Sequence, residues 1–185
     1  YHTLRSVARL QPSERLVVLG AGGGVGLAAV QLGVALGASV TAVASSPDKL
    51  AVAEKYGAEH LIDHRAGDLR GALKQMLPEG ADVVVDPVGG DLSVPALRSL
   101  RRGGRFVTVG YASGTIPEIP LNLVLVKGLR IMGFQFQDLD PDEYRRNEAE
   151  LVDLLMSGRA VPHIGAHYPL EDASRALRHV ADGRA

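Results

Sequence analysis

The chain has 185 residues, 46% of them apolar and 22% charged, with a formal net charge of −1 and no cysteine. This is the balance of an ordinary globular domain with a real core, and it leaves no basic field to hold nucleic acid or anionic lipid. Without cysteine there is no disulfide, no thiolate nucleophile and no Cys-ligated zinc in the chain. A reducing, cytoplasmic setting is therefore expected, with neither a membrane span nor a secretory leader.

Taken in order, short apolar runs alternate with stretches of helical period. Tyr1–Leu10 reads as part of a helix. Arg15–Leu19 (RLVVL) reads as a buried strand that runs into the glycine-rich turn Gly20–Gly26 (GAGGGVG). Leu27–Leu36 is a helix of small residues that Gly37 stops. Val40–Ala44 is a second strand, and Ser46-Pro47 opens a helix with Ser as the N-cap and Pro in the first turn. His60–Ile62 is a short third strand and Asp68–Leu77 a third helix. Ala81–Asp86 (ADVVVD) is a fourth strand, followed by a helix over Asp91–Leu100. Arg105–Val109 (RFVTV) and Leu129–Gly133 are the fifth and sixth strands, and the stretch between them, with Pro117 and Pro120, reads as a long loop. Asp140-Pro141 begins a helix that runs to about Met156. Val161–Tyr168 reads as extended, and Pro169–Ala181 as a final helix.

Strands that are apolar throughout and alternate with helices imply a parallel sheet covered on both faces. Right-handed crossovers then wind it in both directions, so the expected fold is α/β, a doubly wound parallel six-stranded sheet of the Rossmann type. One domain over residues 1–185 is expected, and both ends read as continuing into a neighbouring domain.

The glycine-rich turn stands where its chemistry requires, after a strand and before a helix. Gly22, Gly23 and Gly24 let the backbone approach a pyrophosphate, and the free N–H groups of the first helical turn then point at the anion. Gly26 and Ala29 are small enough for the helix to pack closely on the sheet. As a six-residue fingerprint ending at Gly26 the motif starts with Ala21, with Gly20 one residue earlier. No Gly-Lys-Ser/Thr tripeptide is present, which argues against a P-loop. A short-chain dehydrogenase needs a Tyr with Lys four residues on, and no Tyr here has one. A methyltransferase shares the glycine turn but places an acid at the end of the second strand.

The second strand ends at Ala44-Ser45-Ser46, with no acid. A carboxylate there would bond the ribose hydroxyls of NAD and repel a 2′-phosphate, so its absence permits NADP(H). Ser45 and Ser46 can donate to that phosphate. Lys49 sits in the first turn of a helix, where the dipole disfavours a cation unless an anion is near. His64 and Arg65, after the third strand, border the same end of the sheet.

These stretches together resemble a known family. Leu19–Gln31 (LGAGGGVGLAAVQ), Ala44–Lys49 (ASSPDK), Tyr56–Asp63 (YGAEHLID), Ala81–Gly90 (ADVVVDPVGG), Gly103–Gly110 (GGRFVTVG) and Tyr168–Leu170 (YPL) look like the cofactor domain of the medium-chain dehydrogenases/reductases. Within them the chain is most similar to the quinone oxidoreductase branch. The resemblance implies NADPH as cofactor and a quinone, enone or related electron-poor alkene as hydride acceptor, without zinc. It implies that Gly23, Gly24 and Val25 meet the pyrophosphate, that Ser45 and Lys49 hold the 2′-phosphate with His64 nearby, and that Asp86, Val88 and Gly110 close around the nicotinamide half, beside Phe134 and Gln135. The family's catalytic, barrel-like domain lies outside this sequence, so the chain alone is expected to be inactive. The resemblance also implies a homodimer through the edge of the sheet. Three alternatives stay open: an enoyl reductase, a zinc-dependent alcohol dehydrogenase relative, and a module that binds NADP(H) without catalysis.

Two further clusters are expected to be structural. His163 and His167 share a face if their segment is a strand, but no third ligand is close in sequence. Arg101, Arg102 and Arg105 read as a solvated surface beside a turn.

Overall fold

The computed structural model describes residues 1–183. Six parallel strands run in the order β3-β2-β1-β4-β5-β6. They are β1 (Arg15–Leu19), β2 (Ser39–Ala44), β3 (His60–Asp63), β4 (Ala81–Asp86), β5 (Leu100–Thr108) and β6 (Arg130–Met132). The helices are α1 (Gly24–Ala35), α2 (Pro47–Lys55), α3 (Leu69–Met76), α4 (Ser93–Ser99), α5 (Leu121–Lys127), α6 (Pro141–Met156) and α7 (Ala173–Ala181). The order of the strands reverses between β1 and β4, which makes the carboxyl ends of those two strands the switch point.

Period-two alternation assigns the strand residues to two cores. Leu16 and Val18 of β1, with Val83 and Val85 of β4, pack on one face under α1, α2 and α6. Val17, Leu19 and Val84 pack on the other, under α3, α4 and α5. β4 is buried along its whole length, as a central strand covered on both sides must be.

Several boundaries differ from those expected. α1 begins at Gly24, so the last glycines of the turn belong to the helix. A 3-10 turn, Gly90–Leu92, precedes α4, and another, Leu170–Asp172, precedes α7. β5 begins at Leu100, because Ala81 pairs with Leu100 and Val83 with Arg105 across an irregular register. The stretch read as one long loop contains α5, which opens at Pro120 and closes on left-handed Gly128 (φ 61°). At seven residues α5 is too short for periodicity to declare it. The first ten residues form one wide turn over Thr3–Val7 rather than a regular helix. Val161–Tyr168 is not a strand. Val161 donates its N–H to the Gln31 side chain, and Pro162 has no N–H to donate.

The arginine cluster is a second correction. Arg101 and Arg15 both bond Asp82, and Arg105 bonds Glu14, at the amino end of the sheet. Arg102 is exposed and, among the described residues, has no such carboxylate partner.

Candidate functional site

The site begins where β1 ends. Gly20 turns the chain with φ 61°, and a Cβ there would lie 2.6 Å from Val88 Cγ2. Gly26 packs directly on that turn, and a Cβ on it would collide with the Gly20 carbonyl. The two glycines therefore let α1 start immediately against the strand. Gly23 is the N-cap of α1. It has no side chain to cap the helix, and no acid lies in the first turn. Three other helices are treated differently: Ser46, Asp68 and Asp140 accept N–H bonds at the starts of α2, α3 and α6, whereas α7 also starts without a side-chain cap. The first N–H groups of α1 are thus left for an external acceptor. A Cβ at Gly24 would meet nothing within 4 Å, and Val25 is 56% exposed, so this end of the helix is open.

Lys49 lies against the same loop. A Cβ on Gly22 would sit 2.6 Å from Lys49 Cβ and 2.8 Å from its Cδ, so the lysine stem runs across the space that the glycine leaves. Ser46 Oγ accepts the Lys49 N–H at 3.4 Å, and as an acceptor there it keeps its own proton for a ligand. β2 and β3 pair Ala44 with Asp63, and the His64 N–H bonds the Ala44 carbonyl at 3.0 Å. Ser45 and His64 are therefore neighbours at adjacent strand ends. Burial pushes the His64 imidazole down from its ordinary value, and Arg65 adds to the effect.

Beyond the switch point, Asp86 ends β4. Its carboxylate is 1% exposed and accepts from Val88 N–H (2.8 Å), Gly89 N–H (2.8 Å) and Ser93 Oγ (2.5 Å). It faces its own loop, so its part in a site is to shape that loop rather than to touch a ligand. Gly110 lies beside it, its N–H 3.4 Å from the Asp86 carbonyl. Phe134 follows β6 and rests against His2 with ring centroids 4.9 Å apart. Gln135 is exposed and accepts from Gln137 at 2.6 Å. The carboxyl ends of the strands thus carry the residues expected from sequence, as one row from His64 to Gln135. His2 was not expected there, because 132 positions separate it from Phe134 and nothing local marks it.

A cavity of about 690 Å³ adjoins this row. It starts at Gly22–Gly24 and runs over the outer face of α1, between Gln31, Leu155 and the 160–168 segment. That segment is tied down where the Val161 N–H donates to Gln31 Oε1 (2.9 Å) and where Tyr56 Oη meets His163 Nδ1 (3.1 Å). His163 is therefore engaged with a tyrosine. No group of three residues suited to a metal occurs among the described residues.

A family model described as zinc-binding dehydrogenase matches residues 24–155. The chain belongs to the medium-chain dehydrogenase/reductase superfamily, in its quinone oxidoreductase branch. It is 36% identical over 175 residues to quinone oxidoreductase-like protein 2 of Bos taurus, covering 92% of this chain and 50% of that protein. The solved structure of Escherichia coli quinone oxidoreductase complexed with NADPH superposes with a TM-score of 0.87 at 31% identity, over 100% of this chain and 58% of the other. The CurK enoyl reductase structure gives 0.84 at 26% identity, over 99% and 55%. The chain spans about half the length of the curated relatives it matches. Among the described residues, no helix is long and apolar enough to cross a membrane.

Proposed function

We propose that this chain is the NADP(H)-binding domain of an oxidoreductase that passes hydride to a quinone, enone or similar electron-poor acceptor, without zinc. The observation that carries the reading is Lys49 laid across Gly22. One cation and one uncapped helix start converge on the same loop, next to a second strand that ends without an acid. The residues fit the cofactor on that ground.

The chain's contribution is binding and orientation. Gly22, Gly23, Gly24 and Val25 present backbone to the pyrophosphate. Ser45, Ser46 and Lys49, with His64 beside them, select the 2′-phosphate by charge-assisted bonds worth about 1.5–3 kcal/mol each. Asp86 holds Val88 and Gly89 in place, and with Gly110, Phe134 and Gln135 they border the nicotinamide half. The bound nicotinamide supplies the hydride chemistry. The likeness to the CurK enoyl reductase favours, as a second reading, an α,β-unsaturated acyl acceptor. The assembly proposed with this function is a homodimer through the open edge of β6.

Paired calorimetric titration with NADPH and NADH tests the reading. NADPH is expected to bind more tightly, and Lys49→Ala to remove most of the difference, about tenfold or more in affinity. Equal affinities in the unmodified protein, or no binding of either nucleotide to folded protein, would overturn it.

A further inference from the structure

The wide turn at the start of the chain brings a polar side chain, His2, to the end of β6, beside Phe134. A dinucleotide bound to a doubly wound sheet lies across the carboxyl ends of the strands, one mononucleotide on each side of the switch point. Ser45, Lys49 and His64 mark the adenosine side on β2 and β3. The other half then lies over β4, β5 and β6, and His2 stands at that end, half-buried against Phe134.

The ring is held in one orientation. Asn147 of α6, 5% exposed, directs Nδ2 at His2 Nδ1 (2.9 Å) and at Ser6 Oγ (2.8 Å). With the amide nitrogen at that vertex, Nδ1 is the acceptor and the imidazole proton sits on Nε2. Burial pushes the His2 imidazole down, more than the nearby Glu143 carboxylate raises it, which favours the neutral ring. Nε2–H is then its single donor, and among the described residues nothing accepts from it. Asn147 Oδ1 is itself buried without a partner.

We propose that His2, oriented by Asn147, donates its Nε2–H to the carboxamide oxygen of a bound nicotinamide, with Phe134 as the adjoining apolar wall. The carboxamide is the polar group that the nicotinamide ring carries, and a fixed donor is what sets which face of the ring meets the acceptor. Asn147 is a positioning residue that acts through the imidazole. The inference rests on the NADP(H) reading above.

The test is titration of the unmodified protein, His2→Phe and His2→Gln with NADPH and with 2′,5′-ADP, which keeps the adenosine and its 2′-phosphate but lacks nicotinamide. His2→Phe is expected to weaken NADPH by about five- to tenfold and to leave 2′,5′-ADP within about twofold, with part of the loss recovered in His2→Gln. In Asn147→Leu, the imidazole ¹⁵N shifts of His2 are expected to lose their bias towards the Nε2–H form, with a smaller loss of NADPH affinity. NADPH binding unchanged in His2→Phe would overturn the proposal. So would equal weakening of both ligands, which would make His2 a packing residue. Failure of the unmodified protein to bind either ligand would instead sink the NADP(H) reading, and this inference with it.

Discussion

At the scale of single residues, the tightest constraint is the contact between Gly26 and Gly20. The atom that a Cβ at position 26 would strike is a backbone carbonyl, which cannot swing aside as a side chain would. Gly26→Ala is expected to destabilise the domain by about 1–3 kcal/mol, read as a lower denaturant midpoint. It is also expected to weaken NADPH, because the start of α1 has to move. The resemblance places Asp86 at the nicotinamide half, and the structure gives it an indirect part there, because its oxygens are taken by two backbone N–H groups and Ser93.

At the scale of elements, the helix starts divide by task. α6 is capped by Asp140, whose side chain accepts from Asp142 N–H (3.1 Å) and Glu143 N–H (2.9 Å), with Pro141 in the first turn. Asp140→Ala is expected to cost about 1 kcal/mol, measurable by chemical denaturation. The effect reaches further, because α6 carries Asn147 and Glu150. Glu150 accepts from Tyr1 Oη (2.5 Å) and Arg5 Nε (2.9 Å), so fraying of α6 loosens the turn that holds His2. Lys127 solves the opposite problem at the end of α4. Its Nζ donates to the Arg98 and Leu100 carbonyls, which have no onward helical partner.

At the scale of the whole molecule, the two ends of the sheet are chemically distinct. The carboxyl ends leave N–H groups open for a ligand, whereas the amino ends are closed by the ion network of Glu14, Arg15, Asp82, Arg101 and Arg105. Burial alone would raise the Asp82 carboxyl, but the hydrogen bonds from Arg15 and Arg101 outweigh it and hold it at about 2, below its ordinary 3.8. The folded value lies below the unfolded one. The stabilisation is therefore complete above about pH 5 and is lost as pH falls from about 4 towards 2, about 2 kcal/mol in all. Stability measured across that range is expected to fall more steeply for the unmodified protein than for Asp82→Asn. At the far edge, β6 leaves one side unpaired among the described residues and Ile131 is 39% exposed, while α5 carries the exposed apolar residues Leu121, Leu125 and Val126. An open apolar edge of this kind is a liability that pairing removes. Light scattering is expected to give twice the chain mass, and a charge introduced by Ile131→Lys to shift the protein towards monomer; a monomer at every concentration would refute the proposed dimer.

What the sequence by itself determined is whatever depends on neighbours along the chain. Alternating apolar strands and glycine punctuation specify a parallel, doubly wound sheet, because a strand buried on both faces has no polar option. The turn from Gly20 to Gly26, the Ser46-Pro47 cap and the acid-free end of β2 are local for the same reason, so the phosphate-binding half of the site was legible. Tertiary structure alone decided the rest. Whether Asp86 faces a ligand or its own loop depends on Ser93 and on two N–H groups that the folded turn brings to it. Whether Arg101 and Arg105 are solvated depends on Asp82 and Glu14, which the sheet places beside them. α5 is a helix because it packs on the β5–β6 half of the sheet, which a seven-residue pattern cannot announce. His2 meets Phe134 and Asn147 only because α6 and the end of β6 converge on the first turn of the chain, and contacts formed over such separations leave no periodic trace in the sequence.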